Sequence, residues 1–172
     1  GACNADCTLT SNFVSVWRVA EGDLTITLPL RNQELLSEYY AYADHACHLG
    51  NCFEASPQLF EYRDYRYDFT VDWGDGSDPQ LVSAFDDAAR SHTYTAAGDY
   101  TVTISGTLEA IYFNNGPEAK KIISVPNLGA VGWTSFERAF MGCENLTYVS
   151  GGDTALVKDM NHMFAGATQV EP

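Results

Sequence analysis

Basic residues are scarce in this chain. Its 172 residues include 9 Lys and Arg against 23 Asp and Glu, a net charge of −14. A surface of that sign repels phosphate backbones and anionic lipid, so nucleic acid is excluded as a partner class. No apolar run reaches the roughly 18 residues a membrane-spanning helix needs, so no transmembrane segment is expected. Motifs of the common chemistries are missing too. There is no G-x-S-x-G nucleophile turn, no H-E-x-x-H metal helix and no lysine-bearing phosphate loop. No signal peptide is visible in the sequence given, and the opening Gly-Ala-Cys-Asn-Ala-Asp-Cys reads as a mature or trimmed start. Carboxylates are many, but no predicted helix or strand sets two of them in a shared apolar setting. An enzyme is therefore not expected, nor a cofactor or a resident metal.

What is present is core-forming. Hydrophobic residues make up 45% and aromatics 13% of the chain, enough to order one domain, or a small domain and part of another. Five cysteines divide into two short-range pairs and a singleton: Cys3 and Cys7, Cys47 and Cys52, and Cys143. His45 and His48 flank Cys47, yet these spacings do not match usual zinc sites. Two disulfides among Cys3, Cys7, Cys47 and Cys52, local or crossed, fit an oxidising compartment. A second reading makes Ala2-Cys3 the relic of a lipoprotein cleavage site, with Cys3 lipidated and Cys7 unpaired. Cys143 is expected to be a buried free thiol.

Alternation of apolar and polar residues predicts strands at 13–19 and 24–30, as a hairpin or as two consecutive strands. Between 31 and 48, Leu35 or Leu36, Tyr39, Ala43 and Cys47 recur at helical spacing, which predicts a helix capped by Asn32. A Tyr- and Arg-rich strand over 62–71 follows. Another strand, with Tyr100, Val102 and Ile104 on one face, occupies the segment to Gly106. Strands this dense, joined by Gly/Asp turns, indicate a β-sandwich rather than a parallel α/β sheet.

Within "FTVDWGDGS" (69–77), Phe69, Val71 and Trp73 share one face and Thr70 and Asp72 the other. Gly74 and Gly76 let the chain reverse, and Asp75 can hold turn amides. Asp72 is expected to bond across to a later strand. The aspartates at 72, 75 and 78 lack calcium-loop spacing, so a structural corner is favoured over a weak calcium site. "VDWGDGS" followed by "HTYTAAGDYTVTISG" resembles the PKD (polycystic-kidney-disease) domain, over roughly 13–106. That resemblance implies an immunoglobulin-like sandwich of an extracellular protein. His92, in the H-x-Y part of the motif, is then expected to bond a backbone carbonyl at a corner. The domain is placed at 8–106, with a helical, disulfide-bearing insert at 31–68.

The C-terminal third repeats. Residues 133–145 lie on 157–169 at an offset of 24: Phe140 on Phe164, Gly142 on Gly166, Phe136 on Met160, Cys143 on Ala167 and Trp133 on Val157. Upstream, Ile122 and Val125 fall on Leu146 and Val149. The unit reads as a short strand, a turn, a one- to two-turn helix carrying His162 outward, and a Phe-x-Gly corner. A period of 24 suits leucine-rich-type solenoids, in which each unit buries an apolar edge on the next. "VKDMNHMFAGAT" is similar to the BspA-like leucine-rich repeats of bacterial surface proteins, over about 107–172. In that family a PKD-like sandwich often precedes the repeats, and "IYFNNG" (111–116) looks like such a junction. Two units are few, so the solenoid is expected to be incomplete or steadied by the sandwich, with about one repeat's apolar edge exposed.

The fold expected is thus mainly β with small α content: an Ig-like, PKD-like β-sandwich joined to a short leucine-rich-repeat-type solenoid. The resemblances imply a secreted or cell-surface, non-catalytic adhesion module of a bacterial surface protein. It would be monomeric and would meet a host or matrix protein or a surface glycan. The alternative is an accessory domain of a secreted polysaccharide- or protein-degrading enzyme. For contact, Tyr39, Tyr40, Tyr42, Tyr62 and Tyr65 in the insert offer large apolar faces with polar tips, although core and edge packing would use tyrosines equally well.

Overall fold

The computed structural model describes residues 11–35 and 62–170. They are mainly β. Nine strands follow in chain order: β1 (Phe13–Val19), β2 (Thr25–Thr27), β3 (Gln33–Leu35), β4 (Tyr62–Asp64), β5 (Tyr67–Asp72), β6 (Gln80–Val82), β7 (Ser91–Thr93), β8 (Gly98–Leu108) and β9 (Ile122–Asn127). Two single 3-10 turns, Ala88–Arg90 and Pro117–Lys120, complete the described elements. Among the described residues, no helix is long and apolar enough to cross a membrane.

Five strands make one antiparallel sheet in the order β6-β5-β8-β1-β9. β8 is its spine, with 11 residues. It pairs along β1 from Phe13↔Ile104 to Val19↔Gly98, and along β5 from Tyr67↔Leu108 to Asp72↔Thr103. Alternation decides which face is buried. Phe13, Ser15, Trp17 and Val19 of β1 point inward, as do Tyr67, Phe69 and Val71 of β5 and Val102 and Ile104 of β8. Ser15 is tolerated there because its hydroxyl accepts the Trp17 indole N–H at 2.8 Å. A smaller sheet pairs β2 with β7, where Thr25 and Thr93, and Thr27 and Ser91, join hydroxyls at 2.8 Å. Its Ile26 is fully buried.

Three sequence expectations change. Of the two readings of 13–19 and 24–30, the hairpin fails and two consecutive strands hold, the second cut to Thr25–Thr27; β1 and β2 enter different sheets, with only an Ala20↔Asp23 bridge between them. The expected strand over 62–71 breaks at Tyr65-Arg66. β4 pairs with β3, while β5 pairs with β6 and β8, so one straight strand cannot serve both. The amide of Arg66 goes to the Glu109 carboxylate at 2.9 Å instead of a ladder. The helix expected to start at Asn32 does not begin there: Gln33–Leu35 is a strand, with Leu35 opposite Tyr62. Non-local pairing outweighs the local helix preference of Gln-Glu-Leu. Residues 32–65 form a compact unit of their own, and 36–48, the rest of that expectation, lie outside the described residues.

Beyond β8 the chain runs in three loops laid side by side. Parallel bridges join Ala110 to Ser135, Ser135 to Asp159, and Val125 to Val149. The amides of Phe136, Arg138, Phe140 and Gly142 donate to the carbonyls of Asp159, Asn161, Met163 and Ala165 at 2.7–2.8 Å. Phe113 and Asn115 donate likewise to Ala139 and Met141. Rings follow the same stacking: Phe113 on Phe140 at 6.1 Å, and Phe140 on Phe164 at 5.6 Å with 8° between planes. Trp17 of β1 lies against Phe113 at 5.5 Å, and Phe13 meets Trp133 edge-on at 5.4 Å. β9 itself pairs with β1, so the first of these loops starts from the sheet. The short helices expected in 133–145 and 157–169 are absent; both segments are turns. Arg138 and His162, one repeat step apart, have φ of 50° and 56°, and a right-handed helix cannot pass through that conformation.

Gly142 sits where this arrangement is tightest. Its φ is 79°, and a side chain there would come within 2.9 Å of the Asn115 Cα. At Gly166, with φ of 78°, the nearest atom is the Gly142 Cα at an ordinary 3.5 Å. Gly142→Ala is therefore expected to destabilise by about 2–4 kcal/mol, and Gly166→Ala by only about 1 kcal/mol, in urea unfolding. Equal losses at both positions would contradict the close approach of the 109–116 and 134–143 segments.

Candidate functional site

The Trp-Gly-Asp-Gly corner is tied together by several side-chain hydrogen bonds. Asp72 Oδ1 accepts the Gly74 amide at 2.9 Å, inside the turn rather than across to a later strand as expected. Gly74 must lack a side chain because the Thr101 backbone of β8 crowds it, with the carbonyl carbon 3.1 Å from where a Cβ would sit. Asp75 Oδ1 accepts both the amide of Ser77 at 3.0 Å and its hydroxyl at 2.6 Å. Asp75 Oδ2 meets His92 Nε2 at 2.7 Å. So His92 bonds a carboxylate, not the backbone carbonyl expected from the motif. The reason is geometric: β7 presents the imidazole flat on Trp73 (5.1 Å, 12°) and edge-on to Tyr94 (4.7 Å), which aims Nε2 at the turn. Tyr94 closes the circuit by donating its hydroxyl to the Trp73 carbonyl at 2.9 Å, and the Trp73 indole donates to Gln80 at 2.9 Å.

These contacts set the electrostatics. The Ser77 hydroxyl, His92 and the Ser77 amide together hold the Asp75 carboxyl well below its ordinary range. Burial, reinforced by the nearby Asp75, pushes the Tyr94 phenol well above its own. Both oxygens of Asp75 are thus engaged within the corner, which makes it a structural clasp. Among the described residues, no three His, Cys, Asp or Glu side chains converge in a metal-holding group.

A second polar cluster lies over the first loop. The Arg31 guanidinium covers the Tyr112 ring at 4.3 Å and pairs with Glu137 at 2.5 Å. Arg138 donates to the Tyr112 hydroxyl at 3.3 Å, and its buried Nε has no hydrogen-bond partner. Arg138 is the residue with φ of 50°, so its strained backbone carries the side chain that joins this cluster.

The tyrosines and cysteines singled out in the sequence fall mostly elsewhere. Tyr39, Tyr40, Tyr42, Cys3, Cys7, Cys47 and Cys52, with His45 and His48, lie outside the described residues. Tyr62 is in β4 and Tyr65 is buried. Cys143 is a free thiol, fully buried, and burial pushes its pKa up to about 12.

The remaining candidate is a surface. Phe136 and Phe140 are 1% and 0% exposed, but their repeat counterparts Met160 and Phe164 are 60% and 38% exposed, and Leu156, a few residues earlier in the chain, is 63% exposed. Sequence reasoning anticipated an exposed apolar edge; it missed the backbone polarity of that edge, which needs the hydrogen-bond directions. It also missed that 109–116 joins the same stacking, because the interval from Phe113 to Phe140 is longer than the repeat step. No protein-family model matches the chain, and no curated protein or solved structure matches it significantly.

Two outcomes follow from the clasp and the thiol. Asp75→Asn is expected to cost about 1–2 kcal/mol at pH 7 by removing charge-assisted bonds. A depressed carboxyl stabilises the fold above its unfolded-state value near 4, and that contribution fades as pH falls toward the folded value. The gap between wild type and Asp75→Asn in urea unfolding should therefore narrow steadily below pH 4; a gap that widens in acid would contradict the clasp. In native alkylation with site mapping by mass spectrometry, Cys143 should stay unlabelled until the protein unfolds. Rapid native labelling would place it outside the core.

Proposed function

We propose that the chain is a non-catalytic, cell-surface or secreted binding and adhesion module of a bacterial surface protein. In this reading a PKD-like, immunoglobulin-like sandwich over 8–106, with its disulfide-bearing insert at 31–68, leads into a short leucine-rich-type solenoid over 107–172. The antiparallel five-stranded sheet with its smaller companion supports the sandwich, as does the clasp between Trp-Gly-Asp-Gly and His-x-Tyr. The observation that carries the reading is the ladder from Phe136–Gly142 to Asp159–Ala165, in register with the period of 24 and stacked through Phe140 and Phe164. Stacked units of this kind build extended surfaces for partners rather than enclosed pockets for chemistry. The partner class is a host or matrix protein or a surface glycan, met in part through Tyr39, Tyr40, Tyr42 and Tyr62; Tyr65, also expected on that surface, is buried and drops out of it.

A glycan array run beside a panel of purified matrix proteins tests this directly. Saturable binding to at least one class is expected, and Tyr40→Ser/Tyr42→Ser should weaken it without lowering Tm. Silence in both panels, or hydrolysis of any polymer by the purified chain, would contradict the proposal.

A further inference from the structure

Strand β9 is paired on both sides, in opposite senses. Toward the sheet it runs antiparallel to β1, with Val14 opposite Asn127, Val16 opposite Ser124 and Trp17 opposite Ile122. On the other side, Val125 bridges Val149 in parallel. The Val125 amide donates to the Tyr148 carbonyl, and the Val125 and Ile123 carbonyls accept from Ser150 and Thr147, at 2.8–2.9 Å. β9 is thus at once the edge strand of the five-stranded sheet and a rung of the loop stack. Backbone groups that an open edge would leave unpaired are taken up by residues 147–150.

The β1–β9 ladder is a poor seam by itself. It has three partner positions with two register shifts, against seven unbroken ones between β1 and β8. Bonds outside the ladder reinforce both of its ends. Before β9, the Arg18 amide donates to the Lys121 carbonyl at 2.7 Å. The Lys121 ammonium donates to Asp23, Glu118 and the Thr25 carbonyl at 2.7–3.0 Å, and Glu118 accepts the Thr27 amide at 3.2 Å. Residues 118–121 are therefore fastened to β2 as well as to β1. At the end of β9, the Asn127 side-chain amide donates to the Asn12 carbonyl at 2.9 Å, and the Ala130 amide to that of Ser11 at 3.1 Å. Gly129, with φ of 69°, runs so close that a side chain there would lie 2.7 Å from the Phe13 nitrogen.

Regions joined by a linker move against each other by default. Here the exit from β8 is itself bonded, since the Leu108 amide donates to the Val131 carbonyl at 2.8 Å. We infer that β9 is a shared strand that makes the two sheets and the loops one cooperative body, with no hinge between them. A partner or a load taken up on the loops then acts on β1 and β8 directly. The inference concerns residues 11–31 and 66–170. It goes beyond the adhesion reading and does not need it, because it stands on the two-sided pairing of β9 whatever the loops bind.

Urea unfolding of the whole 15N-labelled protein, followed residue by residue by NMR, tests this. Native signals of Val102 and Ile104 in β8 and of Phe140 and Gly142 in the loops should vanish with one common midpoint. Asp75→Asn makes the test sharper, because the bonds of that clasp stay within residues 72–94. It should lower the midpoint by about 0.5–1 M at all four residues alike. Asp87→Ala, which removes the acceptor of the Ser83 and Ala89 amides, gives the same reading should Asp75→Asn fail to fold. Loops that melt before the sheet, or a shift confined to Val102 and Ile104, would overturn the inference. The outcome is separable from the adhesion reading. Separate midpoints with a positive matrix or glycan screen remove only the shared strand, and a common midpoint with a silent screen removes only adhesion.

Discussion

Backbone amides in the segments 134–143 and 158–167 cannot all be satisfied within their own segment, and the C-terminal region depends on that constraint. Left-handed residues at Arg138, Gly142, His162 and Gly166 bar a helix, so alternate amides point sideways. A buried amide without an acceptor costs free energy comparable to a lost hydrogen bond. The buried row at Phe136–Gly142 is therefore satisfied only by a neighbour that offers carbonyls in the same register. Along Phe113 and Phe136–Gly142 the amides donate outward, 109–116 to 134–143 and 134–143 to 158–167, whereas at the segment starts Thr134 and Ser135 donate back to the Glu109 carbonyl and Lys158 to that of Thr134. Apolar stacking through Phe113, Phe140 and Phe164 adds burial to the same register. Exposure rises along the series because burial, like hydrogen bonding, comes from the next segment.

The two-sheet region starts this series. β9 pairs with β1, and Trp17 and Phe13 of β1 present rings to Phe113 and Trp133. Lys121, just before β9, bonds Asp23, Glu118 and the Thr25 carbonyl. Burial works against its charge, but those two carboxylates outweigh it and its pKa is raised. The sheet thus fixes one end, and the Asp75–His92 clasp at the far end of β5 ties β7 to the turn between β5 and β6. Ordering in the loops is inherited from a rigid antiparallel scaffold rather than generated by local propensity.

Legibility in the sequence divides along the same physical line. Period-2 burial of Phe69, Val71 and Trp73 was readable because alternation alone sets it. The match of Phe140 to Phe164 and Gly142 to Gly166 was readable because stacked positions keep size and backbone freedom. Contacts between distant residues were not. Nothing local in His92 says that its ring lies on Trp73 and reaches Asp75 in the turn before β6. Gln33–Leu35 carries helix-forming residues, yet its partner β4, on the far side of the insert, makes it a strand. Segment 109–116 escaped because a longer interval hides its match, although Phe113 does the same work as Phe140. The polarity of the exposed edge is invisible to side-chain patterns, since it belongs wholly to backbone groups.

Amide hydrogen exchange, resolved residue by residue by NMR, tests the central claim most directly. Four amides, at Phe136, Arg138, Phe140 and Gly142, should be strongly protected, and their counterparts at Met160, His162, Phe164 and Gly166 should exchange near the intrinsic rate. Equal protection of both sets would mean that the outer row has acceptors of its own. Equal lability would mean that the ladder between the two segments does not form, and the account would then fail.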